Sequence, residues 1–319
     1  MFIECKNTDI HKQYGEGVYK YPITFTSEKS AHCHDTITRH GILTINPNAK
    51  ATLLICHGFM CDQRDVSFLR LLFKNYNTLT FDFRGHGDIP SDEPCTLGYN
   101  EYHDVIGAVN FVKSHPLLKD KPLCVYGFSM GAVSSLIAQS KDPSLFDVMV
   151  LDCPFESTDN LLDRGLDRIT INFFGYEFPF PCASLLKRCA YHPYTQSLVK
   201  SVFKVAAQMD ATQIKTHIHP VYPVKHAQKI YTPCLFIACK NDKTAPVYAV
   251  KKVFDNVKGP KRLWITNGRR HYDSIFHNPD KYFYKINRFI EKSLNDKLWK
   301  SRVRTKVICD PDEKGSVSL

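Results

Sequence analysis

The strongest constraint on this chain is a series of short apolar-rich runs recurring between stretches of helical periodicity. ATLLICHG, TLTFDFRG, LCVYG, DVMVLDC, TPCLFIACKND and KRLWITNG each carry a continuous run of strand length, as expected of strands covered on both faces. Between them lie SFLRLLFKNY, a helix from about Tyr99 to Ser114, a small-residue helix after Ser129, and the amphipathic DKYFYKINRFIEKSL. Such alternation predicts an α/β fold with a mostly parallel central sheet and helices on both faces. Nearer the start, VYKYPITFTSE and HGILTINP are β-rich and closely spaced, which predicts an antiparallel beginning to the sheet.

The rhythm stops between Pro154 and Ile230, where ITINFFGYEFPFP, LLKRCAYHPY and SLVKSVFKVAAQM read as aromatic-rich helices and loops. The expectation is a helical cap inserted after the sixth strand, above the carboxyl edge of the sheet. The chain then divides into core (1–153), cap (154–230), core (231–295) and a mobile polar tail (296–319).

Composition narrows the class. With 43% hydrophobic and 23% charged residues in 319, the chain can bury a large core. No apolar run approaches the roughly 20 residues of a bilayer span, and the start lacks a basic end followed by an apolar core. A cytoplasmic, unsecreted protein is the expectation, with most of its 12 cysteines reduced and buried. His32, Cys33 and His34 cluster in AHCHD, but no second ligand group follows at a usable spacing, so no metal site is expected there.

The pentapeptide Gly127-Phe128-Ser129-Met130-Gly131 falls between the run LCVYG and a helix. This is the G-x-S-x-G elbow, a strained strand-to-helix turn that raises a serine hydroxyl above the sheet, with glycines where a Cβ would collide. A serine needs a base to take its proton and an acid to orient the base, downstream in the order Ser, acid, His. Asp242 follows the run CLFIAC and His271 follows RLWIT, so both emerge at the same edge as Ser129. Asp152 is a rival acid because it also exits there, and Asp273 is a weaker one. His57 and His86 precede the serine and are expected to shape the floor of the site. The tetrahedral intermediate needs two backbone donors: Met130, after the serine, and Phe59, in the loop HGFMCD after the first parallel strand. Asp82 and Arg84 read as a structural ion pair.

The ordered blocks CHGFM, FDFRGHG, YGFSMG, LDCPF, PCLFIACKNDKTAP and GPKRLWITNGRRH resemble the α/β-hydrolase fold over roughly residues 35 to 293. The closest likeness is to serine hydrolases of the prolyl-oligopeptidase-like and acylaminoacyl-peptidase-related kind, many acting on small esters or thioesters. The resemblance implies a capped serine hydrolase that needs neither a metal nor an organic cofactor. Its expected partner is a small acyl substrate. His57, Phe173, Phe174 and Tyr176, with Phe178 and Phe180, are candidates for the substrate pocket, although cap aromatics also serve simply to pack a cap. The formal charge of +10 would favour anionic substrates or an anionic membrane surface, or is ordinary solvated surface. No basic stretch is interleaved with aromatics on a recognisable module, so nucleic acid is not expected as a partner.

Overall fold

The computed structural model describes residues 17–31, 33–89, 93–167, 170–173, 176–179, 191–192, 215–271, 273–295 and 306–311. Two long strands come first, β1 (Tyr19–Ser30) and β2 (Cys33–Ile45), paired antiparallel from Tyr19 opposite Ile45 to Ser30 opposite Cys33. Then follow β3 (Thr52–Cys56), α1 (Ser67–Leu72), β4 (Asn77–Phe81), α2 (Glu101–Ser114), β5 (Leu123–Phe128), α3 (Met130–Lys141) and β6 (Val148–Asp152). After α4 (Thr158–Leu166) come β7 (Thr170–Phe173), β8 (Tyr176–Pro179) and α5 (Pro223–Ala227). The chain returns through β9 (Cys234–Cys239), α6 (Val247–Asn256), β10 (Lys261–Thr266), α7 (Asp273–His277) and α8 (Pro279–Asn295) to β11 (Lys306–Cys309).

Nine of these strands form one sheet in the order β1-β2-β4-β3-β5-β6-β9-β10-β11. The pairings β1–β2 and β2–β4 are antiparallel, and every pairing from β4 to β11 is parallel. The apolar runs found in the sequence are its middle: every residue of β3, β4, β5, β6 and β9 is buried. Removing such strands from water on both faces supplies most of the drive to fold, at about 25 cal/mol per Å² of apolar surface. Helices cover both faces. On one side α2 packs on β1 and α3, and α3 packs on β5 and α5. On the other, Tyr126 of β5 meets Tyr282 of α8, while Phe73 just past α1 sets its ring edge-on to Phe283 at 5.2 Å. Among the described residues no helix is long and apolar enough to cross a membrane.

Three expectations need correction. Lys306–Cys309 is not part of a mobile tail: it adds a parallel strand against Arg262–Ile265, and Asp310 beside it accepts from Trp264 Nε1 at 3.1 Å and pairs with Lys281 at 2.6 Å. A four-residue strand has too few alternations to stand out in a sequence, and its order comes from pairing with β10. The inserted region is not wholly helical, because β7 and β8 form an antiparallel ribbon in it. Phe173 and Tyr176 are Cα partners there, Phe178 lies in β8, and Phe174, Phe180 and most of 180–214 lie outside the described residues. Finally, Arg84 does not pair with Asp82. It is fully buried, gives two hydrogen bonds to Asp104 from its side chain at 2.8 and 3.1 Å, and donates to the Glu28 and Lys29 carbonyls of β1. Asp82 instead accepts from the Gln63 backbone and side chain at 2.8 and 2.6 Å. Burial penalises both ions of the Arg84–Asp104 pair, but their mutual attraction and hydrogen bonds hold Asp104 below and Arg84 above their ordinary pKa values.

Candidate active site

The site is built where β5 stops. Ser129 has φ +49° and ψ −112°, a backbone conformation costly for a residue with a Cβ. Close packing holds it there. A Cβ on Gly127 would lie 2.7 Å from the Ala132 backbone and the Gly131 carbonyl; one on Gly131 would lie 2.3 Å from the Cys56 carbonyl oxygen. The start of α3 is thus pressed against the end of β3, and any side chain at either position would force the turn open. The Ser129 N–H donates to the Asp152 carbonyl at 2.8 Å, fixing the turn to the end of β6. Its side chain makes no capping bond to α3. The hydroxyl lies instead 2.8 Å from His271 Nε2.

His271 follows β10 and Asp242 follows β9. The two loops are tied by bonds from Lys240 N–H to the Thr266 carbonyl at 2.9 Å and from Asn241 N–H to the Gly268 carbonyl at 3.3 Å. Asp242 Oδ2 lies 2.6 Å from His271 Nδ1, while Oδ1 accepts the N–H groups of Thr244 and Ala245 at 2.7 and 3.0 Å. Burial by itself would raise the Asp242 pKa. The hydrogen bond and charge of His271, with the two backbone donors, outweigh burial and hold the carboxyl below its usual range. An ionised Asp242 favours the tautomer with the ring proton on Nδ1, in which Nε2 faces the Ser129 hydroxyl as an acceptor.

The rival acids are occupied elsewhere. Asp152 is fully buried with Tyr126 and Tyr282, whose hydroxyls both donate to its Oδ2, and burial pushes its pKa up. Asp273 accepts the Arg269 N–H at 2.9 Å.

The loop after β3 lies against the elbow: a Cβ on Gly58 would sit 2.8 Å from the Phe128 ring. Met130 is the first residue of α3, where helix N–H groups lack intrahelical acceptors and the helix dipole favours negative charge. His57, expected among the substrate contacts, makes none available. Its ring is wholly buried, with Nε2 accepting the Phe83 N–H at 3.0 Å and Nδ1–H donating to the Gly58 carbonyl at 2.7 Å. His86 braces the same loop, accepting the Met60 N–H at 3.3 Å and donating to the Arg84 carbonyl at 2.9 Å. Burial pulls both pKa values down to about 4, so both rings are neutral near pH 7.

Two residues of the site escaped the sequence reading. Phe128, an unspecified position of the elbow motif, places its ring 5.2 Å from that of His271 and close against Gly58. Cys153, just past β6, lies with Asp242 and His271 such that one ligand atom from each falls within 4.8 Å of the others. No motif marks it, since only the pairing of β6 with β9 brings it to the acid loop.

Comparison with known proteins agrees with this architecture. The model described as "Alpha/beta hydrolase family" matches residues 53–283, and the chain belongs to that family. An uncharacterized protein of Bacillus subtilis, YqkD, is 25% identical over 272 residues, which is 84% of this chain and 78% of that one. Among solved structures, the esterase Pf2001 of Pyrococcus furiosus is similar with a TM-score of 0.61 at 22% identity, covering 86% of this chain and 92% of its own. Est1E of Butyrivibrio proteoclasticus, solved with ferulic acid bound, has a TM-score of 0.55 at 15% identity, covering 81% and 96%. At such identities the structural likenesses speak for the fold. The finer likeness to prolyl-oligopeptidase-like enzymes finds no support in these matches.

Proposed function

We propose that the protein is a serine hydrolase that cleaves a carboxylic ester or thioester through an acyl-enzyme. The observation that carries this reading is the unbroken relay from the Ser129 hydroxyl through His271 to Asp242, at 2.8 and 2.6 Å. Ser129 Oγ attacks the acyl carbon as its proton passes to His271 Nε2, and Asp242 stabilises the imidazolium through Nδ1–H. The N–H groups of Phe59 and Met130 receive the oxyanion. The imidazolium then protonates the departing alcohol or thiol, and a water activated by the same nitrogen releases the acid. Donors held in place before substrate arrives are where the catalytic advantage of such sites originates.

An acyl-enzyme can also form from an amide or be resolved by another nucleophile, so peptidase and acyltransferase activities are the neighbouring alternatives. A scaffold without turnover is the alternative of a different class. A fluorophosphonate probe separates the classes: labelling of the folded protein that vanishes in Ser129→Ala is expected, and absence of labelling in the folded parent would favour the scaffold. Turnover of p-nitrophenyl esters of graded chain length then defines the acyl pocket, with a loss of about 10⁴-fold or more in kcat for Ser129→Ala.

A further inference from the structure

Cys153 is in an unusual position for a buried thiol. It leaves β6 with φ +49°, held by its N–H bond to the Ile237 carbonyl of β9 at 2.9 Å. This turn brings its sulfur to the acid and base of the relay, and one ligand atom each from Cys153, Asp242 and His271 lie within 4.8 Å of one another. A thiol, a carboxylate and an imidazole are the donors that thiophilic divalent cations select.

We propose that Cys153, Asp242 and His271 form a binding site for a thiophilic divalent cation, Zn²⁺ or Cd²⁺, and that its occupancy switches the relay off. The inhibitory half rests on the serine-hydrolase reading; the binding half does not. Zinc bonds of about 2.0–2.3 Å to nitrogen, oxygen and sulfur place tetrahedral ligands roughly 3.3–3.6 Å apart. His271 Nδ1 and Asp242 Oδ2 are 2.6 Å apart, and one ligand atom from each of the three residues lies within 4.8 Å of the others. Separations must change by up to about 1.5 Å to reach that geometry, and the His271 side chain retains 13% exposure.

The charges and protons also balance. The cation displaces one proton from the Cys153 thiol to solvent. The proton on His271 Nδ1 is replaced by the metal, and the neutral ring carries its proton on Nε2 instead. A dication with one thiolate and one carboxylate is neutral overall, which suits a site where both Cys153 and Asp242 are buried. With Nε2 protonated, the imidazole cannot accept from Ser129, and turnover stops without the cation touching the serine.

The test uses the full chain and free-metal buffers. Hydrolysis of p-nitrophenyl acetate should fall reversibly with Zn²⁺ or Cd²⁺ and return with EDTA. Cys153→Ser keeps the volume but replaces the thiolate with a poor ligand. Read against its own metal-free rate, it should need at least about 10-fold more metal, as expected for loss of a metal ligand. Cys61→Ser, at a more exposed thiol outside the cluster, should behave as the parent. Equal sensitivity of parent and Cys153→Ser would overturn the proposal. Binding is read separately in a Ser129→Ala background as cadmium–thiolate absorption in the ultraviolet, with and without Cys153→Ser. A difference between the two supports the site even if the parent proves to have no esterase activity. Identical spectra sink the site even if the esterase reading stands.

Discussion

Replacing Asp242 with asparagine tests the relay most sharply, because the change is nearly isosteric and its consequence follows from where hydrogen atoms can go. The native carboxylate accepts on both oxygens: Oδ1 from Thr244 and Ala245, Oδ2 from His271. An asparagine has one oxygen. Keeping that oxygen on the two backbone donors turns its NH₂ toward His271 Nδ1, so Nδ1 must become an acceptor and Nε2 must carry the proton. Nε2 then cannot take the Ser129 proton, although every heavy atom remains near its place. The opposite rotamer keeps the imidazole correct but leaves two N–H groups facing an NH₂, at about 1–3 kcal/mol for each unmet buried group. The wrong tautomer should therefore prevail. Its expected cost is about 10⁴-fold in kcat, or about 5 kcal/mol of transition-state stabilisation. The assay is kcat on p-nitrophenyl acetate, with the rate of fluorophosphonate labelling as a second reading and thermal melting to confirm folding. Asp152→Asn should cost less than about 10-fold in kcat, because a structural carboxyl acts on the serine only through the backbone. If Asp242→Asn stays within about 10-fold of the parent while Asp152→Asn does not, the acid has been misassigned.

Other outcomes follow from the packing and titration of the same regions. Gly131→Ala should lower stability by about 1–3 kcal/mol and slow acylation, since its Cβ meets the Cys56 and His57 carbonyl oxygens, which belong to a buried strand end. An undiminished melting temperature would show that β3 yields easily. Arg84→Met should cost about 3–5 kcal/mol by leaving the Asp104 carboxylate buried without its partner, and double substitution with Asp104→Leu should recover part of it. Between pH 6.5 and about 4 the unfolded chain protonates His57 and His86 while the native chain does not, so stability should fall with pH across that window. Each ring contributes a slope of up to about 1.4 kcal/mol per pH unit. In His86→Gln, whose amide oxygen can still accept the Met60 N–H, denaturant titrations should show a shallower slope; an unchanged slope would exclude His86 as a source. The depressed carboxylates Asp104 and Asp242 add to the loss further down, as pH falls from their unfolded values through their folded ones.

Much of this architecture was written locally. The apolar runs of β3, β5, β6 and β9 fixed a sheet buried on both faces, because no shorter-range arrangement covers such strands, and the spacing of Gly127, Ser129 and Gly131 fixed the turn, because only glycine tolerates those contacts. Asp242 and His271 could be nominated from their places after two such runs. The partners of charged residues were another matter. Arg84 lies two residues from Asp82 yet binds Asp104 and the backbone of β1, a choice made by the packing of α2 on the sheet edge. His57 adjoins the loop of the proposed oxyanion donors, but its ring is spent on Phe83 and Gly58. Likewise β11 owes its order to β10, and Cys153 owes its place beside Asp242 to the β6–β9 pairing. Sequence determines what each segment can become, since periodicity and steric demands act over a few residues. Which buried polar group meets which other is decided only when distant segments lose water together, and for that the tertiary structure is required.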